Sequence, residues 1–286
     1  MQPRTLLLTF IAFTPIAARS HESAGHPTAG TATEPTLGTE LYFGKHGYWH
    51  AGAAVSTPLG EKLSLVLGTH LVREEAGAKE VPSFEAELIR EFPHGLEMEA
   101  FGFGYPKVEQ KQAWGMGVRA TKHFALQGGM SVAPFFGPTY ARIEAVEEAT
   151  DREVTVGHLM LLGGLTLKAG PVAVTLLGSH SFYNRNPSGL ETPVDLESMT
   201  HFAAYENNDG FARDTAAVEL AWHVTQWLTL HARYAALWFD EETRHAVAIT
   251  PAVMLGEHVE LTAGVQLLRG GEVENDLSFF GVSVAF

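Results

Sequence analysis

The stretch Leu277-Ser278-Phe279-Phe280-Gly281-Val282-Ser283-Val284-Ala285-Phe286 reads in two registers. Phe280, Val282, Val284 and Phe286 share one of them, while the small residues Gly281, Ser283 and Ala285 share the other. Successive side chains of an extended chain point to opposite faces, so this segment is a strand with one bulky apolar face. A strand of a membrane barrel has this pattern, because one face meets lipid and the other a lumen.

The same period of two runs back through most of the chain. Apolar residues alternate at Leu63, Leu65, Leu67 and Leu71, at Phe84, Ala86 and Leu88, and at Trp114, Met116, Val118 and Ala120. They do so again at Leu159, Leu161 and Leu165, at Val218, Leu220 and Trp222, and at Val247, Ile249 and Val253. Between these segments tight joins, such as Pro93-His94-Gly95 and Ala169-Gly170-Pro171, alternate with longer polar links. The longer links run over 74–81, 106–112, 145–153, 185–213, 240–244 and 270–275. Short turns at one end and longer loops at the other are the signature of an up-and-down barrel in a membrane. The segments predict an all-β, transmembrane, antiparallel barrel of about 14 strands over 39–286, with 12 as the alternative. Thr39 to Phe43 supplies the first strand. Aromatic residues fall near the segment ends, with Phe92, Phe124, Trp227 and Phe286 towards one rim and Tyr105, Tyr140, Tyr183 and Trp238 towards the other, as interfacial girdles would.

The beginning of the chain differs in kind. A short basic segment at Met1 to Arg4, an apolar run from Leu6 to Ala17 and the small residues Ala18 and Ser20 predict a cleaved signal peptide over 1–20. Residues 21–38 are rich in small and polar residues up to about Pro35 and predict a flexible periplasmic segment. The 286 residues contain no cysteine, which removes disulfide frameworks and thiolate chemistry. A net charge of -14 disfavours binding to nucleic acid or to an anionic membrane surface. The mean hydropathy of +0.02 is what is expected when apolar and polar residues alternate rather than cluster over most of the chain.

With the apolar register assigned to lipid, the opposite register supplies an inner wall. Glu85, Glu87, Glu97, Glu99, Arg119, Glu219, His231, Arg233 and Glu260 are its candidate lining residues. Small residues on the same register, including Gly115, Gly117, Gly129, Ser131 and Gly264, are expected to leave open volume. The hairpin at Thr225-Gln226 brings Glu219 opposite or diagonal to His231 and Arg233, where an ion pair is expected. Glu85, Glu87, Glu97 and Glu99 share another hairpin and form a candidate cation-favouring strip. Fourteen histidines are present, and imidazole suits zinc, copper or nickel. They scatter over many segments without a compact motif, so no metal centre or cofactor is expected. Ser179-His180-Ser181 offers a candidate serine nucleophile, yet His180 and Ser181 are adjacent and point to opposite faces of a strand.

The alternating strands, the leader and the terminal aromatic residue together resemble Gram-negative outer-membrane barrel proteins of the porin-like kind. The resemblance implies an outer-membrane location and contact with outer-membrane lipid and lipopolysaccharide. It also gives Phe280, Val282, Val284 and Phe286 the role of an assembly signal offered to the barrel-assembly machinery. It further implies a pore or diffusion channel for small solutes, biased to cations by Glu147, Glu148, Asp151, Asp240, Glu241 and Glu242 in the long links. Two other functions fit the same reading: a lipid hydrolase, through a faint similarity around Ser181 to outer-membrane phospholipases, and an adhesive barrel presenting the link from Arg185 to Arg213.

Overall fold

The computed structural model describes residues 34–44, 47–73, 80–108, 111–147, 150, 152–186, 190–191, 212–240, 242–270 and 273–286. The signal peptide predicted over 1–20, residues 21–33 of the flexible segment and most of the 185–213 link lie outside these residues.

Fourteen long strands are present among the described residues. They are β1 (Thr36–Phe43), β2 (Trp49–Gly60), β3 (Leu63–Arg73), β4 (Val81–Phe92), β5 (Leu96–Val108), β6 (Lys111–Lys122) and β7 (Met130–Glu147). After these come β8 (Arg152–Ala169), β9 (Val172–Tyr183), β10 (Asp214–Thr225), β11 (Leu228–Trp238), β12 (Thr243–Leu255), β13 (Val259–Gly270) and β14 (Val273–Ala285). Each pairs antiparallel with the next, and β1 pairs with β14 from Thr36↔Ala285 to Phe43↔Ser278, which closes the cylinder. Closure removes the unpaired edges that an open sheet would carry. The first strand begins at Thr36 rather than Thr39, because Thr36 already finds partners in both Ser56 and Ala285.

The outer surface follows the alternation. Leu67, Phe84, Trp114, Met116, Val118, Val218, Trp222, Val247, Ile249, Val265 and Phe280 are all exposed, each flanked in sequence by less exposed residues. Exposed apolar side chains around a whole cylinder are untenable in water and suited to lipid, and the strands are long enough to cross a hydrocarbon core when tilted. Both chain ends of the barrel and the tight joins lie at one rim, including the one-turn 3-10 segments Pro93–Gly95 and Gln127–Gly129.

Several links are shorter than the sequence suggests. β5 runs on to Val108 and β6 starts at Lys111, so the link predicted over 106–112 shrinks to two residues, and the one over 270–275 shrinks to 271–272. Polar residues at these ends remain paired in the sheet because a backbone ladder is indifferent to side-chain polarity at a wet rim. Conversely, the join expected at 121–123 extends to Met130, with Phe124–Ala125 folding back on Val132 and Ser131. Gly129 therefore sits in a turn with φ +74°, outside the wall.

The girdle assignment divides. Phe124, Trp227 and Phe286 are exposed at one rim, as are Tyr140 and Trp238 at the other, where Trp114 meets Tyr140 edge-on at 6.2 Å. Tyr105 and Tyr183 point inward instead. Tyr105 has the parity of Phe101 and Phe103 and is 2% exposed, and Tyr183 has the parity of Ser181 and donates to the carbonyl of Ala212 at 2.6 Å.

Candidate functional site

The inner wall is built by a repeated device. A glycine on one strand faces inward, and the large side chain directly opposite on the next strand lies over it. Phe103 covers Gly115, Phe101 covers Gly117, Phe135 covers Gly164 and Phe279 covers Gly264, each a register pair. A Cβ added at Gly115 or Gly117 would come within 2.3 Å of the covering ring. The open volume expected beside Gly115, Gly117 and Gly264 is therefore taken by rings lying flat on the wall, as happens when an aromatic residue shields a neighbouring glycine from exposure. Between β5 and β8 this wall carries an apolar cluster, with Phe101, Phe103, Tyr105, Ile143 and Leu162 buried together.

Two ion pairs stand among the charged residues of the inward register. Arg119 is bonded to the carboxylate of Glu99, its direct register partner, and Glu99 is 3% exposed. Arg233 Nη2 lies 2.6 Å from Glu219 Oε1, again a register pair. His231 faces Ala221, one step along the same strand pair. Glu87 and Glu260 are buried, and Glu97 is half-buried and faces Glu91. The strip proposed for Glu85, Glu87, Glu97 and Glu99 is broken: the three-residue turn at Pro93–Gly95 sets Glu85 opposite Phe103 and Glu87 opposite Phe101. Of the terminal-strand residues, Phe280 and Phe286 are exposed, and Val282 and Val284 are half-buried on the same register.

The wall of β1 to β4 gathers a group that sequence reading did not. Glu40, Gly52 and His70 form one cross-strand row, since Glu40 pairs with Gly52 and Gly52 with His70. His50 enters from the adjacent row, opposite Tyr42. His50 Nε2 and His70 Nδ1 are 3.0 Å apart, and Glu40 Oε1 lies 3.8 Å from the first and 3.6 Å from the second. Glu85 Oε1 stands 3.5 Å from the other ring nitrogen of His70, Nε2. Tyr42 donates to Glu40 Oε2 at 3.2 Å and stacks on both His50 and Phe279. A search for compact motifs overlooks such a group, because strand register rather than sequence spacing brings its members together. The signal was present in the tight β2–β3 join, which fixes Gly52 opposite His70.

Near the opposite side of the barrel Ser181 faces inward and lies 3.0 Å from His158 Nε2. His158 comes from β8 and stacks on Tyr183 at 4.7 Å. His180, on the outward face, instead meets Asp214 at 2.6 Å. The two neighbours in sequence thus serve different surfaces, as their parity requires.

No protein-family model matches this sequence, and no curated protein matches it either. Among solved structures, the barrel is similar to a BenF-like porin from Pseudomonas fluorescens, with a TM-score of 0.51 and 9% identity over 88% of this chain and 98% of that one. It is similar as well to OccAB1 of Acinetobacter baumannii, with a TM-score of 0.50 and 9% identity over 93% and 99% of the two chains. At these identities the likeness is one of fold.

Proposed function

We propose that this barrel is an outer-membrane pore through which small hydrophilic solutes diffuse, exported by the leader at 1–20 and inserted by way of the strand ending in Phe286. The observation that supports this reading is the sorting of side chains in a closed cylinder. Apolar residues cover the outside, and Glu97, Glu219, Arg233 and their neighbours decorate the inside, where ionised groups need water or a partner. The fold shared with two porins is in keeping with it. Outer-membrane lipid and lipopolysaccharide are then the partners of the outer belt, and the assembly machinery the partner of the terminal strand.

Acids outnumber bases on the inner wall, which supports a bias towards cations. Among the described mouth acids, Asp240 is paired with Arg213 at 2.8 Å and Glu242 with Arg244 at 2.5 Å, which reduces what these two contribute, while Glu148, Asp151 and Glu241 lie outside the described residues. The pair formed by His158 and Ser181 faces the interior, away from lipid, and reads as a wall hydrogen bond rather than a lipid-cleaving centre.

Planar-bilayer recording on the refolded protein tests the reading. Discrete conductance steps with a reversal potential favouring cations are expected, and a barrel that assembles yet never conducts would overturn it. Fractionation should recover the protein in the outer membrane with heat-modifiable gel mobility.

A further inference from the structure

We propose that Glu40, His50 and His70 form a binding site for a divalent transition-metal cation of the zinc class, set into the inner wall of β1 to β3. The inference is independent of whether the barrel conducts.

Size is the first argument. Glu40 Oε1, His50 Nε2 and His70 Nδ1 make a triangle with edges of 3.0, 3.6 and 3.8 Å. Ligand atoms at roughly 2.0–2.2 Å from a tetrahedral zinc ion stand about 3.3 Å apart, so a cation enters this triangle with only small shifts of the side chains. Donor chemistry is the second argument. Two imidazoles and one carboxylate suit zinc, nickel, cobalt or copper, whereas calcium and magnesium demand oxygen ligands.

The surroundings are those of a built site. His70 presents Nδ1 to the triangle while Nε2 faces Glu85 Oε1 at 3.5 Å, so the carboxylate stands where it can support the ring nitrogen opposite the metal. The Tyr42 hydroxyl plays the same part for Glu40 by engaging the oxygen that does not face the histidines. Glu40 and His50 are each 3% exposed, while His70 is 18% exposed, which leaves the entry on the side of His70.

The close approach of these groups depends on two residues that have no side chain. A Cβ on Gly52 would stand 2.4 Å from His70 Nδ1 and 3.0 Å from Glu40 Oε1, and a Cβ on Gly68 would stand 2.2 Å from Glu85 Oε1. Elsewhere on the wall this glycine device accommodates a phenyl ring. Here it accommodates metal-ligating groups, with His70 Nδ1 and Glu40 Oε1 lying where a side chain on Gly52 would begin. Without a cation the two imidazoles contact each other across 3.0 Å, and a ligand must be unprotonated at the nitrogen that binds the metal.

The test uses full-length protein folded in detergent, checked by heat-modifiable mobility and stripped with chelator. His21 and His26, both in the segment after the leader, are replaced by Gln at the outset to remove competing tail ligands. Titration calorimetry with zinc chloride should give one equivalent bound, and magnesium and calcium chloride should give none. Cobalt should produce the intense visible absorption of a low-coordinate site, and X-ray absorption of the zinc form should show two imidazoles. H50Q and H70Q should each weaken zinc by at least 100-fold, E85Q by about tenfold as a loss of ring support, and H231Q not at all. Gly52→Ala should abolish binding by pushing His70 Nδ1 and Glu40 Oε1 out of the triangle. The proposal is overturned if the parent protein binds no zinc, if absorption shows no imidazole, or if H50Q and H70Q fold and bind zinc unchanged. Should those variants fail to fold, the absorption measurement on the parent protein decides.

Discussion

The wall of β1 to β4 and the wall of β5 to β8 solve one geometric problem with opposite chemistry. Both place glycines on the inward register and cover them with the large side chain across the ladder. On the second wall the covers are Phe103 and Phe101, over Gly115 and Gly117, and an apolar layer results. On the first wall the covers are His70 and Glu85, over Gly52 and Gly68, and a polar cluster results. The backbone arrangement therefore dictates where a covering group lies, and the identity of that group alone decides whether the wall is sealed or reactive.

Breaking the shared device should have the largest effect. Gly115→Val sets a side chain 2.3 Å from Phe103 and 2.7 Å from the backbone oxygen of Tyr140, which cannot retreat. Assembly is expected to fail, read as loss of the fast-migrating folded band on unheated gels. Phe103→Ala removes the cover and leaves a void costing about 3–5 kcal/mol, visible as a lower unfolding midpoint with the barrel still formed. His70→Gln on the other wall should cost far less stability, because its neighbours there are polar and can rehydrate.

Ion pairs sharpen the comparison at a smaller scale. Arg119→Ala leaves the buried Glu99 carboxylate without its partner and should cost about 3 kcal/mol, largely restored by adding Glu99→Gln. Arg233→Ala breaks a pair whose members are both more than a quarter exposed, so a loss of about 1 kcal/mol or less is expected in the same denaturation assay. The smallest effect concerns selectivity. Replacing Glu97 by Gln should move the reversal potential by a few millivolts towards neutrality at 0.01 M salt, where the Debye length is about 30 Å, and hardly at 1 M, where it is about 3 Å.

The outer face was legible in the sequence because lipid contact imposes a strict period of two, and Leu67, Met116 and Ile249 obey it. The strand count was legible for the same reason. Tyr105 and Tyr183 show the limit: position near a segment end suggested an interfacial role, but parity decides which face a side chain occupies, and both carry inward parity. The group of Glu40, His50 and His70 was hidden differently. Its members lie far apart along the chain and meet through strand register, which the tight β2–β3 join sets and which no compact motif displays. Glu99 with Arg119 and Glu219 with Arg233 are direct register partners; the second pair was within reach because the Thr225-Gln226 turn is short and aligns its strands plainly.

The closing pair, β1 against β14, has a kinetic consequence. Every other long-strand pairing joins neighbours in the chain, so the sheet grows by adding hairpins, each at low entropic cost. The seam from Thr36↔Ala285 to Phe43↔Ser278 instead brings together residues roughly 250 positions apart, and loop-closure entropy makes that step about 3 kcal/mol harder than closing a ten-residue hairpin. Until it forms, the nascent sheet presents two unpaired edges on which another chain could add. Barrel formation should therefore show a late, concerted phase in which seam protection against hydrogen exchange appears last, after the central hairpins have become protected.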